Sequence, residues 1–499
     1  MATGEVVLIG CGEVVQRDVP PAEALEPVAL MERAAREAAG DARLSDRALE
    51  GLGAVVAVNV LGWRYASAAH GLAARLGAHR AREIDTAVGG NSPQLAVNAL
   101  ARRIARGELE TALVAGAEAI RSRRRARKAG VDLPWSRDEA PAGPGRETLG
   151  DERPGTSERE QRHGLSVPAQ IYPLFENALR ARLGRGLEEH RLALGSLWSR
   201  FSEVAARNPN AWFRTPRSAE EIARATPENR MIAYPYTKYL NAVMEVDQGA
   251  ALLLASADAA RALGVPEECF VYFWGGGEAA EDPWFVTDRP HLDRCPAQAL
   301  SIARALAEAG VEPAQLDAFD LYSCFPVAVE LACEALGLGA DDPRPLTLTG
   351  GLAFGGGPGN AYSLHGIARM AGHLRRQGGL GLVTALGWYL TKHAAGVYGA
   401  APPPPGRARP ASEPRLEPAP PPAEAPLGPG VVETYTVLHG RDGAPERGIV
   451  VGRDAEGRRF VANTPADRAL LEDLETREAV GRSGKLSGEA DGRVRFDPA

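Results

Sequence analysis

"DTAVGGNSPQLAVNALARRIARGELETALVAGAEA", residues 85–119, is the stretch that decides how the chain is read. An apolar strand runs into Gly89 and Gly90, Ser92 and Pro93 open a helix, and a second apolar strand, "LVAGAE" at 113–118, follows. Ser92 suits the cap and Pro93 the first helical position, so a helix is predicted from Pro93 with its unpaired N–H groups facing the glycine turn. A helix end of that kind stabilises negative charge, and a cysteine there would be a thiolate able to attack thioesters. Gly90 occupies the place of that nucleophile. The Ser92 hydroxyl is better explained as the cap than as a substitute nucleophile.

Outward from this turn, further strand candidates fall at 6–10, 54–60, 250–256, 271–275, 318–322, 346–351 and 380–389. Their alternation with helical stretches implies α/β layering. "IDTAVGGNSPQLAVNALARRIARG" (84–107) is echoed by "LDAFDLYSCFPVAVELACEALGLG" (316–339), which points to a duplicated fold. The expected divisions are an N-terminal half at 1–120, an inserted cap at 121–240 and a C-terminal half at 241–400. A linker at 401–430 holds 12 of the 38 prolines and reads as an extended, semi-rigid tether. After it, residues 431–499 alternate apolar and polar residues around Asp-Gly and Glu-Gly turns, the pattern of a small OB-like barrel.

Composition narrows the function. The 499 residues carry no window near the ~18 apolar residues of a membrane span, and the cytoplasm is the expected compartment. The five cysteines show neither paired nor metal-ligand spacing, so no disulfide framework and no metal site are expected. A net charge of -7 argues against nucleic acid as the partner. Basic charge is carried almost wholly by arginine, which sets apart the four lysines, Lys128, Lys238, Lys392 and Lys485.

Over about residues 5–400 the chain resembles the thiolase superfamily, and within it the sterol-carrier-protein branch that carries an added C-terminal domain. Counting back from "LVAGAE" places Gly90 at the thiolase nucleophile. The Asn- or His-bearing motif appears as "YSCF", Tyr322 to Phe325; the histidine loop appears as "GGLAFGGGPGNAYS", 350–363, with Gly357 at the histidine; and the late cysteine motif appears as "ALG", with Ala385 at the acid/base cysteine. "VDQGAALLLAS", 246–256, is similar to the strand that opens the second thiolase half. The resemblance implies a thiolase fold of duplicated βαβαβ halves layered α/β/α/β/α, plus the small all-β barrel. It also implies an acyl-CoA acyltransferase-type ligand, with coenzyme A or an acyl-CoA as substrate and no covalently bound cofactor. Ordinary thiolysis through an acyl-cysteine is not expected, because the side chains that perform it are replaced.

What the resemblance leaves is backbone: the amides of Gly90 and Gly387 match positions that polarise a thioester oxygen, and glycine at 90 is expected to leave a roomier cavity. Remaining candidates for chemistry are Tyr322 as acid or base, the Cys324 thiol, and His393 as base or phosphate partner. His365 reads as a packed helix residue. Arg123 and Arg124, in the basic run 121–128, and Lys392 are candidates for CoA phosphates, against a solvated helix face. Three readings stand open: a thioester-binding thiolase-like protein; a retro-aldolase of β-hydroxyacyl-CoA using Tyr322; and a non-catalytic acyl-CoA scaffold. A monomer or homodimer is expected, with the barrel available to a protein partner.

Overall fold

The computed structural model describes residues 4–136, 147–339, 341–411, 417–423 and 426–499. In chain order its first strands are β1 (Val6–Val15), β2 (Ala54–Ala57), β3 (Arg82–Thr86), β4 (Thr111–Ala119), β5 (Glu147–Leu149), β6 (Met231–Ala233) and β7 (Tyr236–Thr237). There follow β8 (Asp247–Ser256), β9 (Val271–Ala280), β10 (Ala318–Asp320), β11 (Leu380–Gly387) and β12 (Lys392–Gly399). Apolar runs such as "ALLLA" in β8 are buried along nearly their whole length, as expected of strands covered on both faces.

Ten strands join in one sheet, ordered β10-β11-β12-β9-β1-β8-β4-β2-β3-β5. Its wiring shows the duplication directly. From β1 outward the pairings run antiparallel to β8, antiparallel to β4 and parallel to β2; from β9 outward they run antiparallel to β12, antiparallel to β11 and parallel to β10. The halves meet where β1 pairs antiparallel with β9. Two helices, Ser92–Ala105 and Tyr362–Gln377, pack against each other between the halves.

Two sequence expectations are corrected here. The stretch 346–351 is not a strand: Phe319 and Leu321 donate to the carbonyls of Pro345 and Leu346, but Asp320 then draws in the Leu348 and Thr349 amides and bends the chain. The echo of 84–107 by 316–339 is also displaced by one unit. In the wiring β10 stands in the place of β2, so the partner of the Ser92–Ala105 helix is Tyr362–Gln377.

The second sheet holds β13 (Gly428–His439), β14 (Pro445–Asp454), β15 (Arg459–Asn463), β16 (Ser483–Gly488) and β17 (Val494–Pro498), closed in the order β13-β14-β15-β17-β16-β13. β15 and β17 run parallel, and helix Arg468–Thr476 fills the connection between β15 and β16. This is OB-like wiring, with one helix where only strands were expected. The barrel is docked. Leu438 of β13 pairs with Ala233 of β6, and Ile449, Val451 and Val461 enter the same core as the second half and the cap helices Pro168–Arg182 and Leu187–Arg207. The described parts of the proline-rich segment are held to the rest of the molecule: Arg409 donates to the Ala307 and Val311 carbonyls, Ala423 N donates to Arg459 O, and Arg459 N donates to Pro421 O. Among the described residues no helix is long and apolar enough to cross a membrane.

Candidate functional site

The glycine turn, Tyr322 and the end of β11 come together. A β-carbon on Gly90 would overlap the Tyr322 hydroxyl, lie 2.7 Å from Tyr322 Cζ and lie 2.6 Å from Leu386 O. The expected roomy cavity is therefore absent: the phenol occupies the volume a cysteine side chain would need. The Ser92–Ala105 helix starts one residue earlier than predicted, and Asn91 sits at its cap. Ser92 is no cap; its hydroxyl donates to Ala87 O at 2.8 Å, which closes the turn and takes Ser92 out of any nucleophilic role.

Tyr322 is held from two directions. Its amide donates to Thr384 Oγ1 at 2.8 Å, and its ring stands edge-on to Tyr362 at 5.4 Å. Burial, and then the neighbouring Cys324, push the phenol well above its ordinary value. It is thus a neutral hydroxyl near pH 7, a hydrogen-bond donor and not a base. Cys324 is buried beside Tyr172 and its thiol is pushed up to about 12 by burial, so it is not a nucleophile at neutral pH.

Strand alternation separates Lys392 from His393. Lys392, opposite Gly387, reaches the turn: its Nζ donates to Val88 O at 2.6 Å and Asp151 O at 2.9 Å, and its Cε lies 3.1 Å from where a β-carbon on Gly89 or Gly387 would stand. Burial lowers it to about 8, only partly offset by Asp151. His393 faces the opposite side, with Nε2 3.2 Å from Cys295 Sγ, and burial holds it down to about 3. A neutral imidazole on that side pairs with no phosphate.

Gly357 is fixed by its amide to Val243 O at 2.9 Å, and the loop it belongs to reaches the turn through residues that the sequence reading gave no role. Asn360 Oδ1 accepts from the Gly89 amide at 3.0 Å while its Nδ2 donates to Asn59 O, and Ser363 Oγ donates to Gly90 O at 3.2 Å. An asparagine directly after a glycine-rich loop was the available signal. Asn91 Oδ1 is buried without a partner and lies between Gly89 and Gly387.

A cavity of about 1100 Å³ opens beside Val88, lined among the described residues by Asn59, Trp63, Arg64, Asp85, Arg123 and Glu152 with others. Arg123 donates to Gly62 O at 2.7 Å on its wall, whereas Arg124 is engaged by Glu245 on an exposed face. His365 packs inside as expected, 2.9 Å from Glu13. Elsewhere, Glu176, His190 and Glu330 bring donor atoms within 4.8 Å of one another, the one such group of three among the described residues.

A family profile for the thiolase-like protein type 1 additional C-terminal domain matches residues 413–492. The crystal structure of a monomeric SCP2-thiolase-like protein type 1 from Mycobacterium smegmatis superposes with a TM-score of 0.82 at 33% identity, over 99% of both chains. An Ltp2-ChsH2(DUF35) aldolase shares the fold, with a TM-score of 0.60 at 19% identity over 80% of this chain and 98% of that one. An acetyl-CoA acetyltransferase of Schizosaccharomyces pombe is 33% identical over 112 residues, which are 22% of this chain; the match spans only a quarter of that relative's length. Two mirrored half-sheets around paired helices, with a glycine turn at the mouth of the first, define a thiolase-superfamily architecture. The chain belongs to the SCP2-thiolase-like proteins of type 1, which carry an additional C-terminal domain.

Proposed function

We propose that the protein binds an acyl-CoA thioester at the Gly89–Gly90 turn and forms no acyl-enzyme. The observation that carries this is the Tyr322 hydroxyl standing in the volume of the missing nucleophile, beside the backbone of Leu386 and Gly387. A neutral phenol and backbone amides can polarise a thioester carbonyl without attacking it. The likeness to acetyl-CoA acetyltransferases supports the ligand class. The test is a thermal shift with acetyl-CoA and longer acyl-CoAs: a ligand at 100 times its Kd adds ~2.7 kcal/mol of apparent stability. The absence of any shift at millimolar ligand would overturn the reading.

The same phenol favours a second reading, retro-aldol cleavage of a β-hydroxyacyl-CoA. A base removes the hydroxyl proton, the Cα–Cβ bond breaks to release an aldehyde or ketone, and the electron pair moves to the thioester enolate. The enolate is then held and reprotonated with Tyr322 as the donor. Lys392, partly neutral near pH 8, is the base nearest the turn. The fold shared with an aldolase supports this. Carbonyl release that falls at least ~100-fold in Tyr322→Phe is the expected result; binding without turnover would leave thioester binding alone.

A further inference from the structure

The glycine turn meets open space at one residue. Of residues 87–92 only Val88 is not fully buried, and Val88 lies on the wall of the cavity of about 1100 Å³. A second wall residue, Asn59, is tied to the same turn. Asn360, which accepts from the Gly89 amide at 3.0 Å, donates to Asn59 O at 3.0 Å and to Asn59 Oδ1 at 3.2 Å. The cavity is therefore the open ground next to Gly89. Asn59, Asp85 and Thr86 place it in the crevice beyond the carboxyl ends of the parallel strands β2 and β3, where sheets of this kind hold ligands.

Size and lining restrict what fills it. A site that encloses a drug-sized ligand measures roughly 300–1,000 Å³, so an acetyl group would leave most of this volume to water. An alkyl chain suits the volume but not the polar atoms around it. Asp85 Oδ1 accepts from Ala69 N at 3.0 Å, while its Oδ2 has no partner among the described residues. Thr86 Oγ1 accepts from Asn59 N at 3.0 Å, and neither the Thr86 O–H nor Asn59 Nδ2 has an acceptor among the described residues. Hydrocarbon laid over this cluster would strand one acceptor and two donors. A charged group is opposed as well: a carboxylate meets Asp85 and Glu152, and an ammonium meets Arg64 and Arg123. A hydroxyl is neutral, and it can donate to Asp85 Oδ2 while accepting from Asn59 or Thr86.

We propose that this cavity receives the acyl group of the thioester, and that Asn59, Asp85 and Thr86 select a large acyl group bearing hydroxyls over a plain alkyl one. The assignment rests on the thioester reading above and adds to it the class of acyl group. Calorimetry on the full chain with acetyl-CoA, octanoyl-CoA and the 3-, 5- and 8-hydroxy derivatives of octanoyl-CoA tests it. At least one hydroxy derivative is expected to bind roughly tenfold more tightly than octanoyl-CoA, because a site built to pair a hydroxyl rejects the analogue that lacks it. Acetyl-CoA should bind more weakly than any of the four. In Asp85→Asn and in Thr86→Val, each with unchanged circular dichroism, the preference should shrink to about twofold or less, with octanoyl-CoA affinity held. Octanoyl-CoA bound by the wild type as tightly as all three derivatives would overturn the inference and leave thioester binding standing. A preference that survives both substitutions would overturn it too. The wild-type comparison needs no variant, so it decides the matter even if a substitution fails to fold. Failure of every acyl-CoA to bind would instead remove the thioester reading itself.

Discussion

Adding a single methyl group at position 90 would push into the Tyr322 ring on one side and the Leu386 carbonyl on the other, and only the ring can move. Gly90→Ala is therefore expected to cost about 1–3 kcal/mol in denaturant unfolding. Its effect should be less than additive with Tyr322→Phe, since the hydroxyl is part of what it meets. Lys392 gives a second test at this scale. Its folded value, about 8, lies below the ordinary lysine value, so above pH 8 the unfolded chain binds more protons and stability rises with pH until the unfolded lysine also titrates. Lys392→Met should remove that rise between about pH 8 and 10, read as the difference between the two stability profiles. The identity of position 90 was legible in the sequence because strand and helix fix its place in the turn. The occupant of the space it vacates was not, because Tyr322 arrives from 232 residues away in the other half. For the same reason nothing local set His393 apart from Lys392; only pairing to Leu386 and Gly387 shows which face each takes.

Among the elements, the cap helices Pro168–Arg182 and Leu187–Arg207 meet helix Pro326–Leu336 across a buried acid pair. Glu176 accepts from the Tyr236 hydroxyl at 2.6 Å and lies 2.8 Å from His190 Nε2; Glu330 accepts from Arg185 at 2.9 Å, and its second oxygen has no partner. Burial, and then Glu176, raise Glu330 to about 8. A proton on Glu330 shared with Glu176 satisfies that oxygen without a metal ion. The folded value lies above the unfolded one, so this stabilisation is complete below about pH 4 and is lost as pH rises through 8. Glu330→Gln should keep the contact, flatten the fall in Tm over that range and exceed the wild-type Tm at pH 8. A fall as steep as the wild type's would sink this account. The helices themselves follow from apolar spacing in the sequence. The pairing of their carboxylates does not, because no periodicity records which polar residues of distant helices will share a cavity.

For the whole molecule, the tethered module expected from the prolines turns out to be a structural wall. Arg459 of β15, buried and paired to Glu433, donates to the carbonyls of Arg289 and Pro290. Arg289 in turn donates to Tyr389, Leu390 and Thr391 at the tip between β11 and β12, where Trp388 and Leu390 hold left-handed backbone. The barrel thus braces the hairpin that carries Gly387 and Lys392. Arg459→Ala is expected to cost on the order of 3 kcal/mol, because buried carbonyls lose their donor, and to quench or shift Trp388 fluorescence. An unchanged Tm would deny the barrel this role. The duplication and the barrel were legible from local pattern, but β5 and β12 were not, and 346–351 was misread as a strand; docking was not legible either, since a run of prolines looks the same whether it spans open solvent or is tied to helix Pro296–Ala309 through Arg409.

β5 has a consequence of its own. Three residues, Glu147–Leu149, lie parallel along β3 and take the hydrogen-bonding edge at which the first half-sheet would otherwise end. An open rim of that sort is where two identical chains can zip their sheets into one continuous ribbon. With the rim ended by a strand of only three residues, too short to template such a ribbon, the protein's hydrodynamic size should stay constant on dilution, and shortening the chain to delete 147–149 should make it climb with concentration.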